Sequence, residues 1–224
     1  MDFIFDVSAL ASENEEFSDS KKDVLKYLKI IGVDTRYVSY TPEKLYINNL
    51  RFSKFSRKRQ ETFNKQYADI EVVRNSLFQK ICAKAAKSLS DIKPNSRILL
   101  SEDNFIVDVL LEPYTRKYGI KLVKEGDYDL VVNPVILDDK VNQIFSTIFK
   151  GEGIEFDKND NEIYPLINVP LDWINSFLEM DGKSKIKNEN NDELASSFMN
   201  FLEDVAPQYR ENVLKASDYI ENKL

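Results

Sequence analysis

Short apolar runs alternate with amphipathic helical stretches along the second half of this chain, and that alternation restricts the fold more than any composition figure. Arg97 to Leu100 reads as a buried strand feeding a helix from about Asp103, with Pro113 expected to kink or restart that helix. Tyr118-Gly119-Ile120-Lys121-Leu122-Val123 reads as a helix that ends on Gly119 and leads into a strand. Tyr128 to Val132 supplies a further strand. Asp138 or Asp139 can then cap a helix in which Val141, Ile144, Phe145, Ile148 and Phe149 share one face, with Gly151 at the expected stop. Ile163 to Val169 suggests one more strand, and Leu171 to Met180 a short helix. Strands that alternate with helices, without hairpin turn signals, form a mostly parallel sheet covered on both faces. The expected class is α/β: a Rossmann-like, mostly parallel sheet with helices on both faces and a helical C-terminal region.

The first half is less regular. Residues 2–8 alternate as a short strand, and Ser18-Asp19-Ser20 before Val24, Leu25, Leu28 and Ile31 reads as a capped helix ending at Gly32. Thr35 to Tyr40 predicts a second strand, and Lys44 to Asn48 another after the Thr41-Pro42 break. From Phe55 to Leu89 helix formers dominate, with Val72, Leu77, Ile81 and Ala85 as an apolar stripe, which predicts one or two helices before Pro94-Asn95. Asp181 to Asp192 is polar and reads as a flexible linker, and two last helices flank Pro207. The expected organisation is an α/β domain over 1–180, a linker over 181–192 and a helical region over 193–224.

Composition removes function classes. The chain has 224 residues, 42% of them hydrophobic, enough to bury a core. Its apolar runs fall far short of the roughly 20 residues that span a bilayer, and the N-terminus lacks the cationic and apolar regions of a secretory signal. No membrane association and a cytoplasmic home are expected. With no histidine, triads, zinc hydrolase sites and imidazole proton shuttles are excluded, leaving carboxylate, lysine, tyrosine or magnesium-assisted chemistry, or no catalysis. Cys82 is the one cysteine, so this chain alone forms neither a disulfide nor a thiolate cage, and its apolar neighbours predict a buried small residue rather than a nucleophile.

In a parallel sheet, ligands bind beyond the carboxyl ends of the strands, here the loops after Ala9, Leu100 and Val132. Ser101, Glu102, Asp103, Asp138 and Asp139 are therefore candidates for binding nucleotide or metal. Each also suits a helix N-terminus, and for the aspartates at 138 and 139 capping is the favoured reading. Charge gives a second candidate. Residues 51–87 hold ten basic side chains against three acidic ones, a net +7 in a chain of −7, which leaves −14 elsewhere. Arg57, Lys58, Arg59 and Arg74 are the RNA-binding candidates, with Phe52, Phe55, Phe63 and Tyr67 available to stack bases. A solvated helix face with its aromatics in the core fits the same residues.

A family resemblance rests on Asn133-Pro134-Val135-Ile136-Leu137-Asp138-Asp139, the helix after it and Gly151-Glu152-Gly153. It continues through Tyr164-Pro165-Leu166-Ile167 and the tail from Phe198 to Asp204, Pro207-Gln208-Tyr209 and Val213-Leu214. Over roughly residues 128–222 the chain resembles PP-loop ATP pyrophosphatases, the adenine nucleotide alpha-hydrolase-like group, in their tRNA thiolation branch. The resemblance implies ATP with Mg2+ as cofactors, tRNA as partner and a Rossmann-like fold. The family's phosphate loop, a serine, two glycines, a variable residue, an aspartate and a serine, is missing. Asp6-Val7-Ser8-Ala9-Leu10 and Ser101-Glu102-Asp103-Asn104 come nearest, and neither contains glycine. Glu102 sets a negative charge where phosphates should rest, and the paired catalytic cysteines of many thiolases are absent. The expectation is a degenerate relative that handles nucleotide or tRNA, with the role of a noncatalytic partner of a catalytic subunit as one form of it. The other expectation is a Rossmann-like interaction or scaffold protein, with no nucleotide and no catalysis.

Overall fold

The computed structural model describes residues 20–90, 92–152, 159, 161–187, 192–206 and 208–221. The strand expected over residues 2–8 and the cap at Ser18-Asp19 lie outside them. Two sheets form. The larger has the order β5-β4-β6-β7, from β4 (Arg97–Leu99), β5 (Lys121–Val123), β6 (Leu130–Val132) and β7 (Glu162–Ile163). Every pairing in it is parallel: Ile98 lies opposite Leu122 on one side and Leu130 on the other, and Val131 lies opposite Glu162. The mostly parallel α/β architecture is thus the observed one.

Helices cover this sheet where the periodicity places them. After β4 come α5 (Phe105–Leu111), capped by Asn104, and α6 (Tyr114–Lys117), restarted at Pro113; after β6 comes α7 (Leu137–Phe149), and after β7 comes α8 (Leu171–Met180). Residues 124–129 join β5 to β6 without a helix. Three-residue strands are only about 10 Å long, so a short link returns to the sheet's other end and places Asp129 N–H on Arg97 O at 2.9 Å.

Several expected elements are corrected. The strand over 128–132 begins at Leu130, and Tyr128 is 49% exposed rather than interior. The run 163–169 contributes only Ile163, with Glu162, to the sheet, because Pro165 offers no ladder N–H; the chain instead turns through Val169 N to Leu166 O at 2.8 Å. Ile148 is not part of the packed face of α7, being 45% exposed.

The smaller sheet holds a connection the sequence reading missed. β1 (Val38–Tyr40) and β2 (Lys44–Ile47) form an antiparallel hairpin, and β3 (Glu71–Val73) pairs parallel to β2. No glycine marks the turn; Thr41 closes it by accepting Lys44 N–H on Oγ1 at 3.1 Å and donating its own N–H to Lys44 O at 2.9 Å. Thr35–Tyr37 is a 3-10 turn capped by Asp34, not the start of a strand. Val72 belongs to β3 rather than to a helical stripe, so α1 (residues 20–30), α2 (Leu50–Ser53), α3 (Arg57–Gln66) and α4 (Ser76–Ser88) are separate units.

Three apolar clusters hold these parts. Leu28, Val38, Leu45, Ile47, Phe55 and Phe63 fill the space under the small sheet, while Phe78, Ile98, Ile106, Leu110 and Phe177 join the large sheet to α4, α5 and α8. The third packs Val141, Ile144 and Phe145 of α7 against α9 (Glu193–Val205) and α10 (Tyr209–Glu221) through Met199 and Leu214. Among the described residues no helix is long and apolar enough to cross a membrane.

Candidate functional site

The strand order fixes where a ligand crevice should open. β4 connects through α5 and α6 to β5 on one side, while β6 lies on its other side, so the switch point is between the carboxyl ends of β4 and β6. The loops after Leu100 and Val132 do converge there. Leu100, Ser101, Glu102, Asn104, Val132 and Pro134 enclose only about 10 Å³, room for at most one water. Asn104 Oδ1 accepts Val107 N–H at 3.3 Å, occupying a backbone donor that would otherwise face a ligand. Ser101, Glu102 and Asp103 point to solvent. Asp103 pairs with Lys124, whose hydrogen bond and charge hold its carboxyl below the usual range. Without glycine no run of bare amides is exposed, and Glu102 adds negative charge, so these residues do not fit ATP phosphates or their Mg2+. The loop after Ala9 lies outside the described residues.

Asp138 and Asp139 are buried in the first turn of α7, but the cap position is Ile136 and no side chain caps this helix. The expectation of simple capping is corrected in an instructive way: Asp138 caps a different helix. Its Oδ2 accepts Leu171 N–H at 2.7 Å, at the start of α8, where Pro170 offers no side-chain cap. Its Oδ1 lies 2.9 Å from Arg210 Nε of α10, close enough to pair but without the alignment of a hydrogen bond. Arg210 also pairs with Glu203 of α9. Burial pushes the Asp138 carboxyl up, against the pull of Leu171 N–H and Arg210. The aspartate thus ties α7 to α8 and α10, with α9 joined through Arg210, and faces inward. Among the described residues no group of three or more carboxylates or thiolates is placed to hold a metal ion.

The basic segment divides. Arg57 and Lys58 are exposed on the first turn of α3. Arg59 donates to Lys54 O and lies over Gly32, where an added Cβ would come within 2.8 Å of its guanidinium; Gly32 also has φ +82°. Arg74 donates to Gln60 and, at 2.6 Å, to Phe55 O, with the Phe55 ring 5.8 Å away. Burial, then the charge of Arg57, pushes its guanidinium down. Phe55 and Phe63 are fully buried, and Tyr67 stacks on Phe63 at 5.2 Å, whereas Phe52 is 53% exposed. Two of the four cations and one of the four aromatics remain well exposed on the surface.

The sequence reading passed over three charged residues that organise the interior. Asp181 accepts from Lys44 Nζ at 2.7 Å and Tyr46 Oη at 2.8 Å; Glu112 holds Tyr40 N–H at 3.0 Å and pairs with Arg116 and Lys21; Arg210 is the third. Only the i,i+4 spacing of Glu112 and Arg116 was a local sign.

Comparison with known proteins matches the architecture alone. No protein-family model matches the chain, and no curated protein matches it. Among solved structures it is similar to the U34-tRNA thiolase NcsA from Methanococcus maripaludis, solved with its [4Fe-4S] cluster, at a TM-score of 0.51 and 12% identity over 72% of this chain and 85% of that one. At that identity the likeness concerns the fold.

Proposed function

We propose that this chain is a PP-loop-like protein of tRNA modification that lacks a working nucleotide site and serves as a noncatalytic partner, with tRNA as its ligand. The observation that supports the proposal is the closed switch point: the loops after Leu100 and Val132 enclose only about 10 Å³ and carry no glycine, in a fold similar to that of a tRNA thiolase. Exposed Arg57 and Lys58 support phosphate contacts within the +7 segment. With one cysteine the chain has too few thiolates for the ligand set of an iron–sulfur cluster, which fits a partner role and a reducing cytoplasm. Helices α9 and α10 are the part we assign to docking the catalytic subunit.

The test is a melting experiment with pyrophosphate detection. A ligand that binds the native state raises the melting temperature. Bulk tRNA at low salt should raise it, and ATP with Mg2+ should neither raise it nor yield pyrophosphate. Replacing Arg57 and Lys58 by Ala should flatten the salt dependence of tRNA affinity by about 0.7–0.9 per lost phosphate contact. Magnesium-dependent pyrophosphate release by the purified chain would overturn the noncatalytic reading. A second reading, a scaffold without RNA or nucleotide, draws on the exposed Phe149, Leu194, Phe201 and Val205 of α7 and α9. Absence of any tRNA effect at low salt would favour it.

A further inference from the structure

A cavity of about 280 Å³ opens between the Thr35–Tyr37 turn, the loop after β2, α2, α4 and α6, and shares no lining residue with the switch point. Tyr37, Asn48, Asn49, Phe52, Ala83 and Lys117 lie in its wall. The Tyr37 and Phe52 rings meet at 5.3 Å with an interplanar angle of 31°, and Phe52 is still 53% exposed. Ser39 Oγ gives its one proton to Val109 O at 2.5 Å and lies 3.0 Å from the Asn48 amide, which it therefore engages, while Asn49 Oδ1 accepts Phe52 N–H at 3.0 Å. The Asn49 amide is thereby oriented, and its NH2 group has no protein partner among the described residues. The Arg51 guanidinium stands over the Phe52 ring at 5.9 Å, and Lys117 Nζ, in the wall, lies over the Tyr114 and Tyr118 rings at 5.2 and 4.9 Å; neither forms an ion pair among the described residues. Arg36, also in the wall, is neutralised by Asp34 at 2.7 Å.

An exposed aromatic ring, an oriented amide donor and cations without a carboxylate partner together suit one kind of ligand. A nucleobase stacks on the ring, its carbonyl and ring-nitrogen acceptors meet the amide donors, and its phosphate meets the cations. The volume lies just under the roughly 300 Å³ at which pockets for drug-sized ligands begin, which suits one nucleotide. We propose that this cavity binds a single unpaired nucleotide, stacked on Phe52. The proposal deepens the tRNA reading, on which it rests for the RNA source of that nucleotide; a free mononucleotide offers the same chemistry.

The experiment uses the full chain and two probes. Affinity for a short mixed-sequence single-stranded RNA is measured by fluorescence anisotropy at low salt, and the melting temperature is measured with millimolar nucleoside 5′-monophosphates. The variants are Phe52→Ala and, as an exposed aromatic elsewhere, Tyr128→Ala. Phe52→Ala should weaken RNA binding about tenfold, the loss of one base stack, while Tyr128→Ala leaves it unchanged. Should both variants bind RNA as the parent does, the pocket is overturned and the tRNA reading survives. If RNA is not bound but a monophosphate raises the melting temperature of the parent and not of Phe52→Ala, the pocket stands as a mononucleotide site and the tRNA reading falls. With no effect of either probe, both fall. Asn49→Asp, which keeps the acceptor for Phe52 N–H and removes the amide donor, should weaken binding in the same direction and guards against a misfolded Phe52 variant.

Discussion

Arg57 and Arg74 carry the same charge and stand in opposite surroundings, so their substitution should have opposite consequences. Arg74→Ala strips a donor from Phe55 O and Gln60 and removes the packing over the Phe55 ring. It should lower stability by about 1–3 kcal/mol in urea unfolding. Arg57→Ala exposes nothing and relieves repulsion on Arg74, so it should stay within about 0.5 kcal/mol of the parent. Asp138 sets a second contrast. Asp138→Ala leaves Arg210 without its buried partner and α8 without its cap, which should cost about 3 kcal/mol. Asp138→Asn keeps an acceptor for Leu171 N–H and should cost less. An Asp138→Ala variant as stable as the parent would show that the side chain is held for chemistry instead of structure.

At the scale of elements, α7 was readable because its apolar positions recur every three to four residues and Gly151, at φ +71°, ends it. What the pattern could not show is how deep each position lies. Phe145 is buried against Phe198 at 5.0 Å, edge to face, while Phe149 next along the stripe is 41% exposed. Phe145→Ala should therefore cost about 3–5 kcal/mol. Phe149→Ala should cost about 1 kcal/mol, on the scale of one aromatic pair. Guanidinium unfolding midpoints with unchanged slopes would check both. β3 was not readable at all, because three residues carry no period. Its identity comes from pairing Val72 with Leu45 of β2, a partner distant along the chain.

For the whole molecule, the decisive joint is between the two sheets, and Glu112 holds it. Its carboxylate takes Tyr40 N–H of the small sheet, while its partner Arg116 donates to Thr35 O at 3.0 Å and Val38 O at 2.6 Å. Burial pushes the Glu112 carboxyl up, but Arg116 and Lys21 outweigh it and hold the group below the ordinary value of 4.5. A carboxyl lowered on folding stabilises the protein above its unfolded value and loses that contribution as pH falls through the folded value. Stability should thus drop as pH falls below 4.5, and Glu112→Gln should be less stable at pH 7 and show a shallower acid slope. Equal acid slopes in urea titrations would show that other carboxylates drive acid unfolding. Asp138 works in the other sense: its carboxyl is raised, so its contribution is largest at low pH and declines as pH rises through the folded value.

The α/β class, the positions of α7 and α8 and the end of α6 at Gly119 were determined by the sequence alone. These properties depend on residues within a turn or two of one another, where spacing and backbone sterics act directly. Tertiary structure alone decided the β1–β2 hairpin, the closing of the switch point and which cations of the basic segment stay exposed. It also decided that Asp138 faces inward. Burial and ion pairing depend on partners brought together from far along the chain, as Lys44 meets Asp181 and Asp138 meets Arg210, and no local pattern encodes those meetings.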